Sequence, residues 1–152
     1  MYYYSFNQKF KEIVRIKKNK IAIKINNQDF YSFKKLDYVS NCIASEILKK
    51  KIKINDVVVI NAEKKLETYS AIIACLKIGC PYVLIDFSQP ITRVKKILLR
   101  SNSKICLSFK DRNNFINKLF KTTIDLNKLN LKNQNFNEVE NRQNKVVSST
   151  PA

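Results

Sequence analysis

The residue types that most often carry chemistry are scarce in this chain of 152 residues, and their spacing excludes more than it offers. There is no His, so the side chain that titrates most readily near neutral pH is missing. The four Cys, at positions 42, 75, 80 and 106, form no C-x-x-C pair and, without His, no zinc-type ligand set. Cys42, Cys75 and Cys106 fall within apolar periodic segments, where a free thiol behaves as a small buried hydrophobe. The only glycine is Gly79, so neither G-x-x-x-x-G-K-[ST] nor G-x-G-x-x-G can be written, and no serine stands in a G-x-S-x-G elbow. Asp86 is the best single polar candidate, because it follows a strand-like run at the edge where open α/β sheets assemble ligand sites. An Asp ahead of Ser-Gln-Pro reads first, however, as a turn or cap residue. Arg93, one turn into the next helix, is placed to pair with Asp86 or to reach a phosphate, and the ion pair is the favoured reading. No catalytic residue and no metal ligand follows from these positions.

The formal charge of +17 invites a nucleic-acid reading. The excess is Lys, with five Arg, and it accompanies the Asn and Ile that AT-rich codons encode. A dedicated phosphate binder would lean on Arg. Nucleic acid is therefore not the expected partner, and Tyr2, Tyr3 and Tyr4 read as docking hydrophobes before base-stacking platforms. A non-enzymatic basic module, either a degenerate remnant or a weak nucleic-acid binder, is the alternative. The N-terminus lacks the basic-then-apolar layout of a signal peptide and no uncharged apolar run reaches membrane-spanning length, so a cytoplasmic protein with reduced thiols is expected.

These residues must be positioned by regular elements, and 45% apolar content supports a real core. Phe10, Ile13, Val14 and Ile16 recur at helical spacing over residues 8–16. Two short β-rich runs flank Asn26-Asn27 and predict a hairpin. Ser32 then precedes an amphipathic helix to about Lys51, with Leu36, Val39, Ile43, Ile47 and Leu48 on one face. The apolar run 57–60 reads as a strand buried on both faces. A helix bearing Leu66, Tyr69, Ile72, Ile73 and Leu76 follows, ended by Gly79 and Pro81. Residues 82–86 read as a buried strand, Pro90 opens another helix, and residues 105–108 and 122–126 are further strands around a short helix over 113–120. The expected fold is α/β, a mostly parallel sheet with flanking helices preceded by a short β-hairpin. Residues 1–126 form this domain, and the Asn-rich residues 127–152 read as a loop or linker.

The block from Leu76 to Arg93 resembles the second core motif of the AMP-forming adenylating enzymes, L-K-A-G-x-A-Y-V-P-I-D-P-x-x-P-x-x-R. Leu76, Lys77, Gly79, Tyr82, Val83, Ile85, Asp86, Pro90 and Arg93 match in order and spacing. Upstream, the segment from Tyr31 to Leu36 resembles the family's T-Y-x-E-L motif and is followed by Ile43-Ala44, while the segment from Asn55 resembles its G-D-x-V strand. Ile73-Ala74 precedes the block, and Lys104-Ile-Cys-Leu matches the strand after the motif helix. Departures are Leu84 and Phe87 in place of proline, Lys35 in place of glutamate and Ile78 in place of alanine. The form is most similar to amino-acid adenylation domains, including nonribosomal peptide synthetase modules, and Cys80-Pro81-Tyr82 leans towards D-alanine-carrier-protein ligases.

The resemblance implies an N-terminal part of such a domain. It further implies an ATP- and magnesium-dependent ligase reaction for the full-length enzyme, in which a carboxylate or amino acid becomes an acyl-adenylate and passes to a carrier protein or coenzyme A. The family's phosphate loop, adenine segment, ribose-binding aspartate and catalytic lysine follow the region present here. The end of the chain, Val146 to Ala152, resembles only the lead-in to that loop. The fragment alone is therefore expected to bind no cofactor and to be inactive, with a complementing chain as one source of the missing machinery. The matching residues Tyr31, Leu36, Leu76, Lys77, Gly79, Tyr82, Asp86, Pro90 and Arg93 are expected to be structural.

Overall fold

Capping chemistry opens the first helices. In the computed structural model, which describes residues 5–109, 118–132 and 134–146, the Ser5 hydroxyl accepts from the Gln8 amide at 3.3 Å and α1 runs over Phe6–Lys17. Phe10 is buried, whereas Ile16 points to solvent rather than to the core as its spacing suggested. The Asn26 left-handed turn (φ 59°) joins β1, Ile21–Ile25, to β2, Asp29–Ser32, in the expected antiparallel hairpin. Ser32 then caps α2, Phe33–Lys49, by accepting from the Lys35 amide at 3.2 Å.

The remaining elements alternate: β3 (Val58–Asn61), α3 (Leu66–Ile78), β4 (Tyr82–Ile85), α4 (Ile91–Ser101), β5 (Ile105–Ser108) and β6 (Thr122–Asp125). The four strands form one parallel sheet in the order β4-β3-β5-β6, with Val58 opposite both Tyr82 and Ile105, and Ile105 opposite Thr122. Side chains alternate across it. Val58, Ile60, Ile105, Leu107 and Ile124 meet the α2–α3 pair, while Val59, Ile85 and Cys106 meet Val94 of α4 on the opposite face. The central strands β3 and β5 are buried at every position, as continuous apolar runs predict. β4 departs from that pattern. It lies at the sheet edge, so Leu84 is 45% exposed although its sequence resembles a buried strand.

The Asn-rich C-terminal stretch holds more order than its composition suggests. After a short 3-10 turn at Leu126–Lys128, the chain forms α5, Asn137–Lys145, on the side of the molecule that carries α2 and α3. A single buried apolar residue, Val139, is too little for a periodic signal. The helix is held instead by the Arg142 guanidinium donating to the Ile52 carbonyl at 3.0 Å, and by the Tyr38 and Phe136 rings meeting edge to face at 5.7 Å. Most of the helix expected over 113–120, the tyrosines at positions 2–4 and residues 147–152 lie outside the described residues. Among those described, no helix is long and apolar enough to cross a membrane.

Candidate functional site

Lys77 is the charged residue that the fold treats most unusually. It sits near the end of α3 with 1% of its surface exposed, and its ammonium faces α2. The Nζ donates to Asp37 Oδ1, Ser40 Oγ and Asn41 Oδ1, each at 2.7 Å, and approaches the Asp37 carbonyl at 3.3 Å. The Phe10 ring of α1 covers it, 5.2 Å from the ammonium to the ring centroid. Burial lowers the Lys77 pKa from its usual 10.5, and the Asp37 carboxylate opposes that shift. An ammonium has three donors, and all are engaged within the fold. Lys77 therefore fastens helix to helix.

The network joins the two motif regions read from the sequence. Leu36, from the first, is buried one residue before Asp37, and Tyr31 packs half-buried against the same core from β2. Leu76 and Lys77, from the second, lie on the facing helix. Asn7 extends the junction, donating its Nδ2 to the Lys77 carbonyl at 3.1 Å and to the Gln143 carbonyl at 3.5 Å, so α1, α3 and α5 meet there. Sequence reading missed Asp37, Ser40, Asn41 and Asn7. The available signal was a polar i, i+3, i+4 set on α2 beside its apolar face, facing a lysine inside an otherwise apolar helix.

Gly79 closes α3 in the left-handed conformation, φ 70° and ψ 36°, with its amide bonded back to the Cys75 carbonyl. Its own carbonyl accepts from the Asn55 amide at 2.9 Å, tying the helix end to the approach to β3. A side chain at this φ is disfavoured, so Gly79→Ala should lower stability by about 1–2 kcal/mol, read as a shift in the urea midpoint with an unchanged slope. An unshifted midpoint would show that the helix end relaxes freely.

Tyr82, half-buried, starts β4, and the strand delivers Asp86 to its carboxyl end, as expected. There the Asp86 carboxylate accepts from the Ser88 amide at 2.9 Å, and hydrogen bonds from Ser88 lower its pKa. The turn continues as the Asp86 carbonyl accepts from Gln89 at 3.2 Å, and Pro90 then precedes α4 with the Arg93 amide bonded to the Pro90 carbonyl at 2.9 Å. The ion pair between Asp86 and Arg93 is not formed; Arg93 is exposed and makes no ion pair among the described residues. The backbone places them on one loop but gives their side chains no common target.

The Gly79 amide is bonded to the α3 end and its carbonyl to the Asn55 amide, so the one glycine of the chain is engaged within the fold, and among the described residues no group of three or more acidic or thiol side chains converges.

Comparison with known proteins agrees with this scaffold. A profile of the AMP-binding enzyme family matches residues 10–151. The chain is 32% identical over 106 residues to nonribosomal peptide synthetase 2 of Gibberella zeae, covering 70% of this chain and 2% of that protein. It is 34% identical over 106 residues to tyrocidine synthase 1 of Brevibacillus parabrevis, again 70% of this chain and 10% of the relative. In fold it is similar to the Klebsiella oxytoca NpsA N-terminal subdomain, with a TM-score of 0.71 at 19% identity over 86% of this chain and 34% of that one. The chain thus spans a small part of the relatives it matches. With two core motifs in order, their helices joined at Lys77, and a family profile covering nearly its whole length, the chain belongs to the AMP-binding enzyme family.

Proposed function

We propose that this chain supplies the N-terminal scaffold of an amino-acid-activating adenylating enzyme, and that alone it does not adenylate. The observation that carries the amino-acid reading is the similarity, above 30% identity over 106 residues each, to nonribosomal peptide synthetase 2 and tyrocidine synthase 1. The lean towards a D-alanine substrate rests on Cys80-Pro81-Tyr82 alone and is the narrower form of the same reading. Bound ATP would supply the adenylyl group to the substrate carboxylate with release of pyrophosphate, and a carrier-protein thiol or coenzyme A would accept the acyl group with release of AMP.

What this chain's residues contribute is position. The Lys77 network fixes α3 on α2, Gly79 sets where the chain turns into β4, and the Asp86 turn sets where α4 begins. Helix α5 would then bring the chain back to the α2–α3 side, ahead of the family's phosphate loop. The four Cys are unpaired and buried, which suits a reducing cytoplasm.

The test is amino-acid-dependent ATP–pyrophosphate exchange. The 152-residue chain should give none with any proteinogenic amino acid or D-alanine. Exchange above the no-enzyme background would overturn the scaffold-only reading. Exchange that appears only when the remaining part of the enzyme is supplied in trans would support it.

A further inference from the structure

The outer side of α4 is not accounted for by the core. Val94 is buried, and Ile97 and Leu98 pack half-buried against the sheet, yet Ile91 is 49% and Leu99 82% exposed. Ile91, Lys95 and Leu99 stand four residues apart and share one row, while Lys96 and Arg100 form a second, exposed basic row. Leu98, Leu99, Leu119 and Phe120 wall a groove of about 340 Å³ over Ser103, with Lys95 at its rim. Exposed Lys118 and Lys121 flank the far wall. Neither residues 87–109 nor residues 118–124 contain an Asp or Glu, so the charged side chains that α4 and residues 118–121 themselves bring to the groove are all basic.

We propose that this groove is a docking site for an amphipathic helix of a partner protein, one that carries carboxylates beside its apolar anchors. The apolar walls take an anchoring side chain, and the lysines and arginine around them meet acidic groups on either side of it. The shape argues against a lipid surface, because a flat bilayer does not fill a recess between Leu99 and Leu119. The composition argues against nucleic acid, because phosphates would leave the leucine walls uncovered and no aromatic face is exposed for stacking on α4.

The experiment is a fluorescence-anisotropy titration of the whole chain against a labelled synthetic helix with Leu at i, i+3 and i+4 and Glu on both flanks. Saturable binding that weakens with added salt is expected. Leu99→Ser and Lys95→Glu should each weaken it by about tenfold or more, with unchanged unfolding midpoints because both side chains are exposed. Lys17→Glu, at the exposed end of α1, should leave it unchanged and so separate a site from general basicity. Three results would each overturn the proposal: equal binding of a peptide with Gln for Glu, equal loss in Lys17→Glu, or binding to phosphatidylserine vesicles without binding to the peptide.

Discussion

Asp37→Ala is expected to destabilise the chain by about 3–5 kcal/mol, more than removal of Lys77 itself. The two partners are not equally buried: the Lys77 side chain is 2% exposed and that of Asp37 29%. Without Asp37 the ammonium keeps Ser40, Asn41 and a backbone carbonyl as acceptors but has no counter-charge inside the protein. Without Lys77 the carboxylate still reaches water, so Lys77→Met, which also fills the vacated apolar volume, should cost only about 1–3 kcal/mol. Urea unfolding of the two variants decides it; equal losses, or a larger loss for Lys77→Met, would mean that the pair is effectively solvated.

The same pair sets a sign for pH. Because burial holds the folded Lys77 pKa below 10.5, the unfolded chain binds more protons between the two values, and this group's contribution to stability rises with pH through that window. Asp37→Ala removes the opposing charge and should make that rise steeper.

The thiols should act in the opposite direction and dominate at alkaline pH. Burial pushes Cys106 from 9.0 up to about 12 and Cys80 up to about 11, and raises Cys42 and Cys75 as well. Cys80 also donates its S–H to the Lys53 carbonyl at 3.4 Å, a bond that ionisation would break. Unfolded thiols ionise first, so the stability that the protonated thiols confer is complete below 9.0 and is lost as pH rises through the folded values. At about 1.4 kcal/mol per unit, Cys106 accounts for roughly 3–4 kcal/mol and Cys80 for roughly 2–3. Four thiols outweigh one amine, so the urea midpoint should fall steadily from pH 9.0 towards about 12. Cys106→Ala should begin less stable but show a shallower fall. A flat midpoint across that range would contradict thiol burial.

Much of the fold was legible because its signals are local. Ser32 ahead of an amphipathic run, Gly79 after one, Pro90 before another and apolar runs at residues 57–60 and 105–108 are each one-dimensional patterns with a direct conformational cause. The matching positions could likewise be picked out by order and spacing. What spacing could not supply was the company each residue keeps. Lys77 was legible as a motif position, but only the close approach of α2 shows it to be buried and fully bonded. Asp86 and Arg93 looked like a pair, but the Ser88 turn takes the carboxylate and leaves the guanidinium in solvent.

The sequence by itself determined the order of the described helices and strands from α1 to β6, the family resemblance and the scarcity of glycine for a phosphate loop, because propensity, capping and motif spacing act over a few residues. Only the tertiary structure decided that β4 is an edge strand, that α5 docks with one buried apolar residue, and that a motif lysine is a buried link between helices. Those outcomes depend on contacts between residues far apart in the chain, where burial and charge pairing are set by neighbours that no local pattern names.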